Sequence, residues 1–151
     1  MTIYLASDHA GFELKNHLAE FIGAMGFTVV DKGALSLDEA DDYPDFVRPV
    51  VEEILKDPQY TRGIILGGTG EGEAICANRF KGIRAAVYYG GSLDPVKLSR
   101  EHNNANILSL GARFLSVQEV KDAVTLWLNT PFSGEERHIR RISKIDNSLI
   151  S

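Results

Sequence analysis

Short apolar runs of strand character alternate with helix-like segments from one end of the chain to the other. The strand-like runs are Ile3–Ala6, Thr28–Val30, Ile64–Leu66, Arg84–Tyr88 and Asn106–Ser109. The helix-like segments are Phe12–Met25, Asp45–Leu55, Ala74–Arg79, Val96–His102, Val117–Leu128 and Glu135–Asn147. Repeated β–α order favours parallel strands, because each parallel connection needs a long crossover that is usually a helix. The pattern therefore predicts an α/β fold with helices on both faces of one sheet.

This pattern is typical of a three-layer, doubly wound, five-stranded parallel sheet of the Rossmann-like kind. No linker, repeat or low-complexity tract interrupts the 151 residues, so one domain over 1–151 is expected. A net charge of −5 gives no electrostatic case for nucleic acid or an anionic membrane. The single cysteine, Cys76, fits a reducing compartment, and no signal peptide or membrane-spanning run is recognisable. A cytoplasmic location is predicted.

A glycine-rich turn, residues 67–73, follows the third strand and contains glycines at 67, 68, 70 and 72. Such a turn directs several backbone N–H groups at one point, which suits a phosphate or a developing oxyanion. Glu71 and Glu73 disfavour a turn that only holds phosphate, whereas a carboxylate beside an oxyanion site suits proton transfer. The spacing matches neither the dinucleotide-binding nor the P-loop pattern. Close helix–sheet packing is the alternative explanation.

Other polar residues also follow strands, and ligands of doubly wound sheets bind beyond the carboxyl ends of the strands. Asp8 and His9 follow the first strand, and Arg113 comes soon after the fifth. Asp8 is alternatively a helix N-cap. His9 suits proton transfer or hydroxyl binding. His102 and Asn103 end a helix before the fifth strand, where a structural role competes with substrate binding.

A basic cluster near the carboxyl terminus contains Arg137, His138, Arg140 and Arg141. Arg137 and Arg141 are four residues apart and share one helix face, as paired guanidinium groups that bind a phosphate would. Pairing with nearby acidic residues on the surface is the alternative. The four histidines show no metal-ligand spacing, so neither a metal nor a cofactor is expected.

Taken together, these motifs resemble those of the type B ribose-5-phosphate isomerases, a family that includes galactose-6-phosphate and allose-6-phosphate isomerases. The likeness covers nearly the whole chain. The motifs that carry it occur in this order: Asp8-His9-Ala10-Gly11-Phe12, Asp42-Tyr43-Pro44, Gly67 to Glu73, Asn78-Arg79, Gly82-Ile83-Arg84, Ser99 to Asn104, Gly111-Ala112-Arg113, and Arg137-His138 with Arg141.

The resemblance implies a homodimer, or sometimes a tetramer, with active sites shared between subunits, and the C-terminal helix 135–147 reaching a partner. It also implies aldose–ketose interconversion of a sugar phosphate through an enediolate, without metal or cofactor. One subgroup of the family uses a cysteine base in the glycine turn. Gly67 occupies that position here, and Glu73 matches the subgroup with a glutamate base.

The resemblance also implies roles for individual residues. Glu73 moves the proton between C1 and C2, and we expect burial beside Glu71 to raise the pKa of Glu73. The expected catalytic group is Glu73, His102, Asp8 and Thr69, with His102 opening the sugar ring. The expected substrate-binding group is His9, Tyr43, Gly68, Gly70, Gly72, Asn103, Arg113, Arg137, His138 and Arg141.

The sequence thus predicts an isomerase of ribose 5-phosphate and ribulose 5-phosphate. One alternative keeps the chemistry and changes the substrate to a hexose 6-phosphate or a tetrose 4-phosphate, since segment 88–95 could shape the pocket. Another is a non-catalytic phosphate-binding subunit of the same fold, disfavoured by the joint presence of Glu73, His102 and the arginines. A receiver-like signalling domain would need an acidic cluster at a strand end and a lysine late in the sheet. Asp8 alone does not supply that pattern.

Overall fold

The computed structural model of the chain describes residues 1–147. The strands are β1 Thr2–Ser7, β2 Thr28–Asp31, β3 Thr61–Gly67, β4 Ala85–Tyr88 and β5 Ile107–Gly111. The helices are α1 Phe12–Ala24, α2 Pro44–Lys56, α3 Glu71–Ala77, α4 Asp94–Glu101, α5 Val117–Asn129 and α6 Glu136–Asn147, and a 3-10 turn spans His9–Gly11. No helix in this part of the chain is both long and apolar enough to cross a membrane.

All four strand pairings are parallel, and the strand order is β2-β1-β3-β5-β4. One face of the sheet packs on α1, α4 and α5, through residues such as Leu18, Val96 and Trp127. The other packs on α2 and α3, through Val50 and Ala77. The three-layer, doubly wound prediction is confirmed. The insertion of β5 between β3 and β4 was not predicted, because chain order does not specify which edge a late strand joins.

The helix after the glycine-rich turn begins earlier and ends earlier than predicted: α3 spans Glu71–Ala77 rather than Ala74–Arg79. Gly70 takes a left-handed conformation, φ +80°, which lets the chain enter the helix within the turn itself. Asn78 then leaves the helix, since its side chain accepts from Ala85 N at 2.8 Å and donates to Ala85 O at 3.0 Å. Glu71 and Glu73 therefore lie in the first turn of α3.

The C-terminal helix α6 contributes little to the core. Its one buried residue is His138, and Ile139 is 52% exposed. Its charged face includes Arg137, Arg140 and Arg141, all exposed. An amphipathic helix with so much of its surface open does not gain its stability from the core of its own chain alone.

Candidate active site

The carboxylate of Glu73 lies directly over the glycine at the end of β3. Glu73 is only 4% exposed. A glutamate side chain in water is charged at neutral pH, so its burial is unusual. A Cβ atom at Gly67 would collide with the Glu73 carboxylate, so the absence of a side chain there creates the space that the carboxylate fills. Burial, with a smaller contribution from the charge of Asp8, raises the pKa of Glu73. The predicted direction is confirmed, but the neighbouring acid is Asp8 and not Glu71, which is exposed.

The turn itself leaves several N–H groups open. Within residues 1–147, no protein group accepts a hydrogen bond from the backbone N–H of Gly68, Thr69, Gly70 or Gly72. The turn is fixed by a hydrogen bond from β5, in which Ser109 Oγ donates to Gly70 O at 2.6 Å. Open donors in a fixed turn are what stabilisation of a developing oxyanion requires.

Two further strand ends bring Asp8 and Arg113 to this turn. Asp8 is 8% exposed, and its Oδ1 accepts from Ala10 N at 3.0 Å, which confirms the N-cap role. Asp8 lines a narrow cleft together with Glu73. The backbone N–H of Arg113 donates to Gly68 O at 3.1 Å, and a Cβ at Gly68 would lie 3.1 Å from Arg113 Nη1. The Arg113 side chain therefore lies over the turn.

Tyr43 closes the cleft from the side. It precedes α2, and a Cβ at Gly72 would lie 2.8 Å from its hydroxyl oxygen. The cleft is lined by Tyr43, Asp8 and Glu73 together with apolar side chains of α2 and β3, including Val47 and Ile65. Such surroundings exclude water from the Glu73 carboxylate and strengthen its basicity.

Asp41 is a residue of this region that the sequence analysis missed. It belongs to the loop between β2 and α2, and its Oδ1 lies 2.7 Å from His9 Nδ1 and accepts from His9 N at 3.2 Å. Its only sequence signal was its membership of the acidic run 38–42, which resembled an ordinary solvated loop. The hydrogen bond to Asp41 is the main cause of the raised pKa of His9, with Asp8 adding to it and Arg113 opposing it.

Asp8, His9 and Asp41 are also close enough to be considered as metal ligands, with one donor atom from each within 4.8 Å of the others. The hydrogen bond between His9 Nδ1 and Asp41 Oδ1 accounts for the proximity of these two residues without a metal. The absence of a metal from the chemistry stays a prediction.

The remaining predicted site residues form a second group elsewhere. His102 caps the end of α4 and stacks on His138 of α6, with ring centroids 4.3 Å apart and planes at 16°. Burial and the positive charges around it lower the pKa of His138, and its buried Nε2 has no hydrogen-bond partner among the described residues. Asn103 is exposed next to His102, and Arg137 pairs with Glu135 at 3.0 Å. Arg141 lies exposed one turn further along α6.

The two groups lie at opposite ends of the sheet. His102 precedes the start of β5, whereas Arg113 follows its end, and five residues of strand span about 16 Å. The carboxyl-end group contains Asp8, His9, Tyr43, Gly68, Thr69, Gly70, Gly72, Glu73 and Arg113. The amino-end group contains His102, Asn103, Arg137, His138 and Arg141. One chain therefore does not bring the whole predicted site together.

Comparison with known proteins identifies the family. A sequence model described as ribose/galactose isomerase matches residues 3–145. The chain is 42% identical over 142 residues to ribose-5-phosphate isomerase B of Mycolicibacterium paratuberculosis, covering 94% of this chain and 87% of that protein. The chain belongs to the ribose/galactose isomerase family.

Solved structures agree with this assignment to the ribose/galactose isomerases. Ribose-5-phosphate isomerase B from Mycoplasma genitalium, crystallised with bound ribulose-5-phosphate, superposes with a TM-score of 0.91 at 40% identity, covering 96% of this chain and 93% of that one. The ribose 5-phosphate isomerase from Thermotoga maritima gives 0.88 at 45% identity, covering 96% and 97%. The family predicted from the motifs is thus confirmed.

Proposed function

We propose that this chain interconverts ribose 5-phosphate and ribulose 5-phosphate, the activity named in its relatives. The observation that carries the proposal is the buried Glu73 carboxylate, held over Gly67 beside a turn whose N–H groups are open. A buried carboxylate of raised pKa is a stronger base than an exposed one, and the adjacent donors lower the energy of the enediolate it creates.

The chemistry follows from this arrangement. In the open-chain aldose, the Glu73 carboxylate takes the proton from C2, and the electrons left on carbon form the C1–C2 double bond. The C1 carbonyl oxygen becomes an oxyanion, which the open N–H groups of Gly68, Thr69, Gly70 and Gly72 stabilise. Glu73 then returns its proton to C1 as carbon, the proton of the 2-hydroxyl passes to the C1 oxyanion to give the C1 hydroxyl, and C2 becomes the ketose carbonyl. Each proton removed is returned, so no external oxidant or reductant is needed.

The amino-end group completes this site from a second copy of the chain. Ring opening and phosphate binding require groups that one carboxyl-end cluster does not contain, because Arg113 and His9 are its only cations among the residues assigned above. His102, Arg137 and Arg141 belong to surfaces that the fold leaves open, and α6 has an exposed apolar face as well as a basic one. A homodimer related by a two-fold axis would form two such sites.

In this arrangement the phosphate is bound by Arg113 of one copy and by Arg137 and Arg141 of the other, with His9 and His138 beside them. His102 protonates the ring oxygen while Asp8 and His9 assist at the other side, and Asn103 and Tyr43 bind sugar hydroxyls. Paired guanidinium groups match the geometry of a phosphate dianion. A single domain over 1–151 and a cytoplasmic location remain part of the proposal.

The first test is isomerase turnover with ribose 5-phosphate, with hexose 6-phosphates and tetrose 4-phosphates as a comparison panel. Glu73→Gln keeps the shape and removes the base, so we expect kcat to fall by about 10²–10⁴-fold. The matched control is Glu71→Gln, which removes an exposed carboxylate from the same turn and leaves kcat near that of wild type.

The outcomes separate the parts of the proposal. Equal activity of Glu73→Gln and wild type would remove Glu73 as the base. Turnover restricted to another sugar phosphate would change the substrate and keep the mechanism. A folded protein that turns over no member of the panel would contradict the enzyme assignment and favour a phosphate-binding subunit.

A further inference from the structure

The loop between β2 and α2 brings one acidic side chain, that of Asp41, into contact with His9, which is 32 residues away in sequence. One oxygen, Asp41 Oδ1, contacts two nitrogens of His9. It lies 2.7 Å from the ring Nδ1 and 3.2 Å from the backbone N. The Asp41 side chain is 6% exposed, and its Oδ2 is buried with no partner among the described residues. A buried carboxylate with one unpaired oxygen is costly, so this contact does more than fill space.

The contact fixes the chemical state of the imidazole. Since a carboxylate accepts and cannot donate, Nδ1 must carry the proton, which assigns the tautomer and holds the ring plane. No residue between 1 and 147 is hydrogen-bonded to Nε2, and the side chain is 27% exposed. The second nitrogen is therefore available to a ligand in the cleft.

The charges around His9 favour the imidazolium form. Asp41 acts most strongly, Asp8 from the neighbouring position acts in the same direction, and Arg113 opposes them, with a net raised pKa. Among residues 1–147, these three are the charged groups that act on the ring. An imidazolium at His9 adds a second cation, beside Arg113, to the carboxyl-end group, and both charges favour an anionic group of the substrate.

Other contacts fix the start of this loop, so Asp41 is not needed to anchor it there. The buried ammonium of Lys15 binds both Asp31 oxygens at 2.8 Å and the Ala34 carbonyl at 2.5 Å. Asp31 Oδ1 also accepts from Gly33 N at 2.8 Å. The start of the loop is thus anchored through contacts that do not involve Asp41.

We propose that Asp41 is a positioning residue of the isomerase, holding His9 in its Nδ1-protonated, cationic form so that His9 and Arg113 together bind the anionic group of the substrate. This inference rests on the proposed isomerase function. It assigns Asp41 to substrate affinity and its pH dependence, and leaves proton transfer at carbon to Glu73.

The test compares Asp41→Asn with Glu39→Gln, a control that removes an exposed negative charge from the same loop. We expect Asp41→Asn to raise KM for ribose 5-phosphate roughly tenfold, equivalent to about 1.4 kcal/mol, with kcat changed by less than about twofold. Glu39→Gln leaves both constants unchanged. Asp41→Glu, which retains the carboxylate, restores part of the affinity and shows that the loop still folds.

The pH profile gives an independent reading. Phosphate becomes a dianion above about pH 6, and His9 loses its charge as pH rises through its raised pKa. KM is therefore expected to be lowest at pH values above the second pKa of the phosphate and below the pKa of His9. In Asp41→Asn the upper limit moves to lower pH, because His9 loses the hydrogen-bond partner that raises its pKa.

Nitrogen-15 NMR of the four histidines reports the same change without any assay of activity, with His9→Gln used to assign the signal. A lower His9 titration midpoint in Asp41→Asn, with the Nδ1–H tautomer lost, supports the inference even if the enzyme acts on another substrate or on none. An unchanged midpoint, or an equal effect in Glu39→Gln, overturns it. Specific binding of added Zn²⁺ to His9 in wild type would also overturn it, since Asp41 would then be a metal ligand.

Discussion

Glu73 is held in the fold at an energetic disadvantage when it is charged. Its carboxylate is buried beside Asp8, and both effects raise its pKa. A group whose folded-state pKa lies above the unfolded value stabilises the fold when protonated. That contribution is complete below the unfolded pKa and is lost as pH rises through the folded pKa. At neutral pH the charged Glu73 carboxylate therefore reduces the stability that the same position would have with a neutral side chain.

We expect Glu73→Gln to be more stable than wild type at pH 7, although it is the variant expected to lose activity. A neutral amide of similar shape removes the cost of the buried charge, and a gain of Tm of roughly 1–4 °C is reasonable for a chain of this size. The gain should disappear below about pH 4, where wild-type Glu73 is itself protonated. Thermal unfolding at both pH values, with Glu71→Gln as control, measures this. A lower Tm at pH 7 would contradict the burial argument.

The turn between β3 and α3 has room for only one side chain above the Cα of Gly67. The space above the Cα of Gly67 is occupied by the Glu73 carboxylate, so a side chain at position 67 and Glu73 in its present position exclude one another. A cysteine at position 67, as the resemblance implies for one subgroup, would place its sulfur in the region that Glu73 now fills. The position that the Glu73 carboxylate occupies therefore depends on the glycine at 67.

Gly67→Ala tests this at the level of the element. The added methyl group must displace the Glu73 carboxylate, and we expect kcat to fall by at least about 10²-fold because base and substrate carbon lose their alignment. Gly23→Ala is the control: it lies in α1, a Cβ there meets nothing within 4 Å, and helix propensity predicts a small gain in stability. Full activity of Gly67→Ala would show that Glu73 does not need its present position.

Periodicity and strand ends predicted much of this molecule, and the failures have physical causes. Asp8, Glu73 and Arg113 could be grouped from sequence because each follows a strand of one parallel sheet. Asp41 could not, because the path of an irregular loop carries no repeating pattern. His102 was correctly assigned to the end of a helix. Its distance from Glu73 could not be predicted, because it depends on which end of the sheet that helix end lies at.

At the scale of the whole molecule, the separation of the two groups makes one more prediction. If each site combines Glu73 of one chain with His102 of another, Glu73→Gln and His102→Ala damage different halves of the same site. A mixed dimer then contains one site with both residues intact and one with neither. Random association makes half of the dimers mixed, so co-refolded variants should recover about a quarter of wild-type activity.

Sites confined to one chain would give a different result. Mixing would then leave the residual activity at the average of the two inactive variants, whatever the oligomeric state. Sedimentation velocity on the same samples establishes whether a dimer or tetramer forms, and Glu71→Gln mixed with wild type controls for losses on refolding. Recovery that depends on association would place catalysis at the junction between the carboxyl end of one sheet and the α4–α6 end of another. The exposed face of α6 would then be explained as a contact between copies.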